Sequence, residues 1–198
     1  MIFAENMAPM MGPLAGPLAA AALAGRSGPM RVLDIAAGHG LFGIAVAKHN
    51  PEARVTGLDW AKVLEVAGRN AKAAGVYDRY DLLPGSAFDV DFAGPYDVVL
   101  LTNFLHHFDP ATCVTLLKKA YAALAPGGRA LTLDFVPNED RVSPPVPAAF
   151  SLTMLTTTAA GDAYTLSELS AMYREAGFRD ITGQPIPMSP QTIVVGHV

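Results

Sequence analysis

The chain has few charged side chains. Asp, Glu, Lys and Arg make up 16 % of its 198 residues, whereas an ordinary soluble domain contains about 25 %. The formal net charge is −4 and the basic residues are scattered, which gives no electrostatic reason to expect a nucleic-acid partner. A partner domain or a second subunit covering the surface would explain the shortage of charge, and so would an alanine-rich, GC-biased genome. The sequence leaves both explanations open.

A single cysteine limits the redox chemistry open to the chain. Cys113 excludes an internal disulfide, and we interpret it as a buried helix residue in a reducing compartment, with the cytoplasm as the expected location. The uncharged segment 7–25 is long enough to raise the question of a membrane span. However, three prolines interrupt it, and Glu5 replaces the basic residues that open a signal peptide. We therefore predict no membrane interaction and a short helix packed on the domain.

Strand-like and helix-like segments alternate along the chain, which indicates a parallel sheet with helices on both faces. The predicted strands are Val32–Ile35, Arg54–Asp59, Tyr80–Leu83, Tyr96–Thr102, Arg129–Phe135, Ile181–Ile186 and Thr192–Val198. The predicted helices are Leu41–Lys48, Ala61–Ala74, Pro110–Ala125, Ala148–Leu155 and Leu166–Ala176. We predict an α/β fold: a Rossmann-like doubly wound sheet of seven strands, mostly parallel with an antiparallel C-terminal hairpin. It would form one domain over 29–198, preceded by a helical segment over 1–28.

The strongest motif lies between Val32 and Gly43. Its apolar residues predict a strand buried on both faces, Gly38 and Gly40 allow a tight turn against a ligand, and a helix follows. Gly43 completes the pattern GxGxxG, which is weak when it stands alone. Asp34 adds specificity, because an acid inside a buried strand is costly unless a ligand uses it. This segment therefore predicts a nucleotide site that suits a positively charged ligand.

The next strand supports a nucleotide site. Asp59 ends that strand, where a doubly wound fold places the carboxylate that accepts hydrogen bonds from a ribose. A plain helix N-cap is the structural alternative for Asp59. Trp60, the only tryptophan, follows directly, and we weigh an adenine contact against a half-buried packing role.

Two adjacent histidines, His106 and His107, follow the predicted strand that ends at Thr102. Ligands bind just beyond the carboxyl ends of central strands in open α/β sheets. A histidine there can act as a general base, because a phenol or enol must lose its proton as it attacks. Asp134 ends a neighbouring strand and is placed to orient an imidazole. The structural alternatives are a histidine packed in a loop and a surface ion pair for Asp134.

A family resemblance rests on several further segments. They are Asn103–Asp109, the Cys113 helix, Leu124–Arg129, the strand ending at Asp134, and Pro137. With the Asp-x-x-x-Gly-x-Gly pattern, they resemble the catalytic domain of class I S-adenosylmethionine-dependent small-molecule O-methyltransferases, of the plant caffeate type and the bacterial polyketide and carotenoid type. The likeness covers nearly the whole chain. It implies S-adenosyl-L-methionine as the cofactor, a hydroxyl of a small aromatic or polyketide-like acceptor, and no metal.

The resemblance also implies roles for individual residues. His106, rather than His107, corresponds to the family's base, Asp134 to its flanking glutamate, and Glu168 to a second glutamate. The implied cofactor-binding residues are Asp34, Gly38, Gly40, Asp59, Trp60, Ser86, Ala87 and Phe88, with Asn103 at the methionine end.

Three positions complicate this assignment. Asp134 is one methylene shorter than the family's glutamate. Ser86 stands where many relatives carry an acid that contacts the adenine amino group, so its hydroxyl or the Ala87 backbone would have to substitute. Thr165 and Glu168 have the spacing of a capping box, a structural role at least as well supported as catalysis.

Family members usually carry an N-terminal helical dimerisation domain, and this chain begins where that domain would be ending. We therefore expect a catalytic half that lacks the dimerisation domain, or a homodimer, with Phe3 and Met7 as candidates for the acceptor pocket or as simple core residues. Two rival functions stay open. One is an NAD-dependent reductase that uses the same glycine turn, and the other is a relative that binds the cofactor without turnover.

Overall fold

A computed structural model describes the backbone of residues 2–198 and the side chains of residues 12–198. The helices are α1 (Ile2–Leu23), α2 (Leu41–His49), α3 (Ala61–Ala73), α4 (Pro110–Ala122), α5 (Pro145–Thr157) and α6 (Leu166–Glu175). The strands are β1 (Met30–Ile35), β2 (Ala53–Asp59), β3 (Tyr80–Pro84), β4 (Tyr96–Thr102), β5 (Leu124–Asp134), β6 (Arg179–Pro185) and β7 (Thr192–His197). The seven strands form one sheet in the order β3-β2-β1-β4-β5-β7-β6. The predicted fold class is confirmed.

Two compact units make up the chain, residues 1–100 and 101–198. In the first unit β1, β2 and β3 pair in parallel, with Asp34 opposite Gly57 and Asp59 opposite Pro84. β1 is buried along almost its whole length, as expected for a strand that helices cover on both faces, whereas β3 at the edge of the sheet is mostly exposed. Their carboxyl ends lie at one edge, where β1 leads into the glycine turn and β2 ends at Asp59.

The first helix is longer than the sequence predicts. α1 includes all three prolines that we expected to break it. Pro13 and Pro17 are exposed, whereas Leu14 and Leu18 beside them are buried. Residues four apart share one face of a helix, so the carbonyl groups that lose their N–H partners lie toward solvent, where water can bind them. The expected short helix is therefore wrong in length, although α1 does pack against α2 and α3.

The second unit contains the antiparallel part of the sheet. β7 pairs with both β5 and β6, with Thr192 opposite Asp134, so the predicted C-terminal hairpin is confirmed. α4 begins as predicted after Asp109, whose side chain accepts a hydrogen bond from the Thr112 N–H. It ends at Ala122, earlier than expected, and β5 already begins at Leu124. Within the part of the chain that was searched, the structure contains no helix both long enough and apolar enough to cross a bilayer.

Candidate active site

The turn between β1 and α2 has the backbone that its glycines predict. Gly38 and Gly40 have φ angles of 57° and 76°, in the left-handed region that other residues rarely adopt. Gly43 is required by packing instead, because a Cβ there would lie 2.7 Å from Val55 Cγ1 and 2.9 Å from Asp34 Oδ2. The three glycines therefore let the N-terminus of α2 lie directly against β1 and β2, the arrangement of a nucleotide-binding turn.

Asp34 is completely buried beneath this turn. Its Oδ2 accepts a hydrogen bond from the Gly43 N–H at 3.1 Å, whereas its Oδ1 has no hydrogen-bond partner. Burial raises the pKa of the Asp34 carboxyl to about 7, and the nearby Asp59 carboxylate adds to this effect while the Gly43 hydrogen bond opposes it. A buried carboxyl without a cationic partner favours a ligand that brings positive charge.

Asp59 closes the same turn from the end of β2. Its Oδ2 accepts a hydrogen bond from the Gly38 N–H at 2.9 Å, and its Oδ1 accepts one from the Trp60 N–H at 2.7 Å. Trp60, not Asp59, is the N-cap of α3, so the capping alternative for Asp59 is wrong. The Trp60 side chain is 63 % exposed, which also excludes the half-buried packing role. The ribose and adenine contacts stay predictions for these two residues.

The turn after β3 lies beside Asp59. The Gly85 N–H donates to the Asp59 carbonyl oxygen at 2.9 Å. Ser86 Oγ accepts a hydrogen bond from the Phe88 N–H at 3.2 Å, which leaves its own proton available to a ligand. Ala87 is buried and Phe88 is partly exposed. Phe88 and Ser86 can therefore offer side chains to an adenine, whereas Ala87 can offer only its backbone.

The second unit joins His106 to Asp134. His106 lies in a 3-10 turn over Leu105–His107, and Asp134 is the last residue of β5. His106 Nδ1 and Asp134 Oδ1 are 2.6 Å apart, and both side chains are buried. Asp134 Oδ1 also accepts a hydrogen bond from the Phe135 N–H. With Nδ1 donating to the carboxylate, Nε2 is the atom of His106 that can accept a proton. The shorter acid thus reaches the imidazole.

Aromatic rings surround His106. Phe150 on α5 meets it edge to face with ring centroids 4.9 Å apart, and Phe150 also stacks on Phe135 at 4.1 Å. The His107 ring lies 4.4 Å from the His106 ring and is exposed. Partial desolvation lowers the pKa of His107, repulsion from the neighbouring imidazole lowers it further, and Asp134 raises it. Because Asp134 binds His106 directly, the geometry favours His106 over His107 as the base.

The buried side-chain amide of Gln191, a residue that the sequence analysis missed, forms a hydrogen bond with Asn103. Gln191 is 2 % exposed and donates from Nε2 to Asn103 Oδ1 at 2.5 Å. Asn103 has a φ of 51°, and its N–H donates to the Leu133 carbonyl oxygen at 2.8 Å, next to Asp134. No sequence signal marks Gln191, because an isolated glutamine before a strand has many structural uses.

Glu168 has structural partners. Its Oε2 accepts a hydrogen bond from the Thr165 N–H at 2.8 Å, and Thr165 Oγ1 accepts one from the Glu168 N–H, so the capping box is formed. Arg141 Nη2 lies 2.5 and 2.7 Å from the two Glu168 carboxylate oxygens. In the described part of the chain, these contacts do not include His106 or Asp134. The catalytic role of Glu168 stays a prediction, and the capping role is confirmed.

Two of the residues predicted for the acceptor pocket, Phe3 and Met7, lie outside the residues whose side chains the structure describes. The other candidates fall into two groups. Asp34, the glycines, Asp59, Trp60 and Ser86–Phe88 lie around the glycine turn of the first unit. Asn103, His106 and Asp134 lie at the ends of β4 and β5 in the second unit.

Comparisons with known proteins identify the family of this chain. A family model described as the O-methyltransferase domain matches residues 18–179. The chain is 30 % identical over 161 residues to 3-hydroxy-5-methyl-1-naphthoate 3-O-methyltransferase of Streptomyces sahachiroi, a match that covers 81 % of this chain and 46 % of that protein. It is 29 % identical over 161 residues to L-tyrosine C(3)-methyltransferase of Streptomyces lavendulae, covering 81 % and 44 %. The chain therefore spans about half the length of the curated relatives it matches.

Solved structures give the same result. A Nostoc punctiforme PCC 73102 protein assigned as an O-methyltransferase superposes with a TM-score of 0.95 at 51 % identity, covering 99 % of this chain and 59 % of that one. These matches confirm the fold class and the family resemblance that the sequence indicates.

Proposed function

The chain belongs to the O-methyltransferase domain family, and on that premise we propose that it transfers a methyl group from S-adenosylmethionine to a hydroxyl of a small aromatic or polyketide-like acceptor. Membership of this family supports a methyltransferase over an NAD-dependent reductase. The proposal divides the work between the two units: the first binds the cofactor and the second supplies the base.

The first unit fits an S-adenosylmethionine ligand. The cofactor supplies an electrophilic methyl group on a positively charged sulfur. Asp59 would accept hydrogen bonds from the ribose, and the exposed Trp60 and Phe88 rings would contact the adenine. The backbone at Gly38 and Gly40 has no side chain to block the ligand. Once ionised, Asp34 would add negative potential to that of Asp59 for a sulfonium and an ammonium bound at this turn.

The second unit carries the chemistry of the acceptor. His106 Nε2 would take the proton of the hydroxyl as its oxygen attacks the methyl carbon, because the neutral hydroxyl is a weak nucleophile. Asp134 would hold the ring in the required tautomer and stabilise the imidazolium that forms. Most of the rate enhancement would come from alignment of oxygen, carbon and sulfur, since the reaction disperses charge and leaves little to stabilise.

One observation carries this proposal: the buried 2.6 Å contact between His106 and Asp134. A merely packed histidine has no need of a buried carboxylate, whereas a base that repeatedly gains and loses a proton does. The known relatives support the class of acceptor, because one of them is named as a 3-hydroxy-5-methyl-1-naphthoate 3-O-methyltransferase.

The proposal is tested by incubating the protein with S-adenosylmethionine and a panel of hydroxynaphthoates, hydroxybenzoates and hydroxyquinones. Mass spectrometry detects the added methyl group, and NMR locates it on oxygen or carbon, which matters because one relative is named as a C-methyltransferase. Quenching of Trp60, the only tryptophan, reports cofactor binding independently of turnover. Binding without any methylated product would support the rival function of a cofactor-binding relative, and binding of NADH alone would overturn the proposal.

Three further expectations belong to this proposal. The partner is a small-molecule acceptor, the active form is a homodimer or needs a preceding helical domain, and the location is the cytoplasm. Light scattering of the purified chain and of a form extended with such a domain tests the second.

A further inference from the structure

Two buried polar atoms beneath the glycine turn lack hydrogen-bond partners. One is Oδ1 of Asp34, and the other is the hydroxyl of Tyr80, a residue that is 2 % exposed. The side chains are neighbours, because a Cβ built on Gly43 would lie 2.9 Å from Asp34 Oδ2 and 3.2 Å from Tyr80 Cε2. Two unpartnered polar atoms on neighbouring side chains require an explanation, since buried polar groups are almost always satisfied.

The Tyr80 hydroxyl is held in this place by glycines. A Cβ on Gly57 would lie only 2.6 Å from the Tyr80 hydroxyl oxygen, and one on Gly40 would lie 3.0 Å from it. The ring therefore passes from β3 beneath β2 and the turn, through space that only glycine leaves open. The hydroxyl cannot turn to solvent without moving the strand, so its position beside Asp34 is built into the fold.

The charged groups around Asp34 do not favour its ionised form. Asp59 faces it from β2 with a second carboxylate, and no cationic side chain contacts it in the described part of the first unit. Tyr80 faces it from β3, and α2 contributes only the Gly43 N–H. His39 in the turn is buried, which lowers its pKa and disfavours its charged form. A carboxylate here would be a buried charge with no cation beside it, whereas a carboxylic acid would be neutral in the same place.

We propose that Asp34 carries a proton in the ligand-free protein and releases it to solvent when a positively charged cofactor occupies the glycine turn. This inference rests on the proposed function. The carboxylic acid becomes a carboxylate and the buffer takes the proton. A unit positive charge held about 6 Å away in a partly buried site weakens the proton affinity of a carboxyl by about 100-fold.

Proton release has a consequence for selectivity. S-adenosylmethionine carries a sulfonium charge that S-adenosylhomocysteine, the product, lacks. The charged cofactor would therefore bind more tightly as the pH rises and Asp34 ionises more easily, whereas the product would gain less. Asp34 would thus help the turn to distinguish the cofactor from the spent product by charge rather than by shape.

Calorimetry in two buffers of different ionisation enthalpy tests this inference, because it counts the protons released on binding. At about pH 6 we expect S-adenosylmethionine to release about 0.8 proton per wild-type molecule and S-adenosylhomocysteine to release fewer. At about pH 8.5 we expect release near zero. Asp34→Asn, which resembles the neutral acid in shape, should release none at either pH. Asp81→Asn, at an exposed carboxylate on β3, should match the wild type.

Wild-type binding at pH 6 without proton release would overturn the inference, and so would equal release by Asp34→Asn. If Asp34→Asn did not fold, the wild-type counts at the two pH values would still decide. A wild-type protein that failed to bind S-adenosylmethionine at any pH would instead overturn the proposed function, so the two failures are distinguishable.

Discussion

Three aspartates of the candidate site differ in what surrounds their carboxyl groups, and this difference separates their roles. The Asp134 Oδ1 atom lies 2.6 Å from Nδ1 of the His106 imidazole. Asp59 is partly exposed and accepts two backbone hydrogen bonds, so it can still accept more from a ligand. Asp34 is fully buried with one oxygen unpaired. In the proposed function the same functional group would therefore serve as an orienting acid, a ligand acceptor and a proton carrier, according to burial and partner.

Loss of the base should separate binding from chemistry. We expect His106→Ala to keep its cofactor affinity and to lower the rate of methyl transfer by at least about 100-fold, because general-base catalysis contributes at this scale. Single-turnover assays with a good acceptor measure the rate, and Trp60 fluorescence measures the affinity.

The neighbouring histidine provides the matched control. His107→Ala removes the same kind of ring one residue away, but one that has no bond to Asp134, and should cost much less activity. If the two variants lost activity equally, or if His107→Ala were the worse, the assignment of the base to His106 would be wrong.

Asp34 should make the stability of the ligand-free protein depend on pH. Its pKa rises from 3.8 to about 7 on folding, so between these values the folded state binds more protons than the unfolded state. The contribution of Asp34 to the free energy of unfolding is therefore most favourable at low pH. It falls as the pH rises, by up to about 1.4 kcal/mol per pH unit, and levels off above pH 7. Asp34→Asn lacks this loss. The free energy of unfolding of the variant minus that of the wild type should therefore increase as the pH rises from 5 to 7, as measured by urea unfolding. A flat difference would contradict the predicted protonation.

At the scale of the elements, the close packing of Tyr80 against β2 depends on Gly57, and Gly68 on α3 provides a glycine with more open surroundings for comparison. Gly57 on β2 has the Tyr80 ring against it, with the nearest atom 2.6 Å from a built Cβ, whereas Gly68 on α3 has its nearest atom at 3.4 Å. Gly57→Ala should destabilise the protein by about 1–3 kcal/mol through overpacking. Gly68→Ala should stabilise it by about 0.5–1 kcal/mol, because alanine favours a helix. Thermal unfolding of both variants checks the prediction, which fails if Gly57→Ala is tolerated as well as Gly68→Ala.

The start of α6 depends on Glu168, which joins a capping box to Arg141. We expect Glu168→Gln to lower the free energy of unfolding by about 0.5–1.5 kcal/mol, a modest figure because the carboxylate is partly exposed. The rate of methyl transfer should stay within about 3-fold of the wild type, well below the scale of general-base catalysis. Glu175→Gln on the same helix, at an exposed pair with Lys118, should change neither. A large loss of activity in a stable Glu168→Gln would establish the catalytic role that the family resemblance implies.

At the scale of the whole molecule, cofactor binding to the first unit should stabilise the folded chain. Ligand at about 100 times its dissociation constant adds about 2.7 kcal/mol, which for a chain of this size corresponds to a rise in Tm of about 5–10 °C. Asp59→Ala should weaken binding by about 1–3 kcal/mol, the scale of lost charge-assisted hydrogen bonds, and should lose from about a third to about nine tenths of this rise. Asp81→Ala should retain it. An undiminished shift in Asp59→Ala would remove Asp59 from the cofactor site.

The sequence by itself determined the features that depend on neighbouring residues. Apart from the length of α1 and the early start of β5, apolar periodicity predicted the strands and the α-helices within a few residues, because local burial decides which period a segment shows. The turn at Gly38 and Gly40, the N-cap at Asp109 and the capping box at Thr165 are also local, since each depends on residues only a few positions apart. The pairing of His106 with Asp134 could be predicted only because both follow strand ends, which a parallel sheet brings to one edge.

Only the tertiary structure decided the contacts between residues distant in the chain. Tyr80 lies beneath the turn because β3 pairs with β2, Gln191 binds Asn103 because β7 lies beside β5, and Arg141 neutralises Glu168 across a loop. None of these contacts has a local signal, since each side chain alone is compatible with many environments. The length of α1 was likewise decided by packing, because its prolines are tolerated only where their face meets solvent. Local chemistry thus set the elements and the turn, and the assembled sheet determined which side chains surround each carboxyl group.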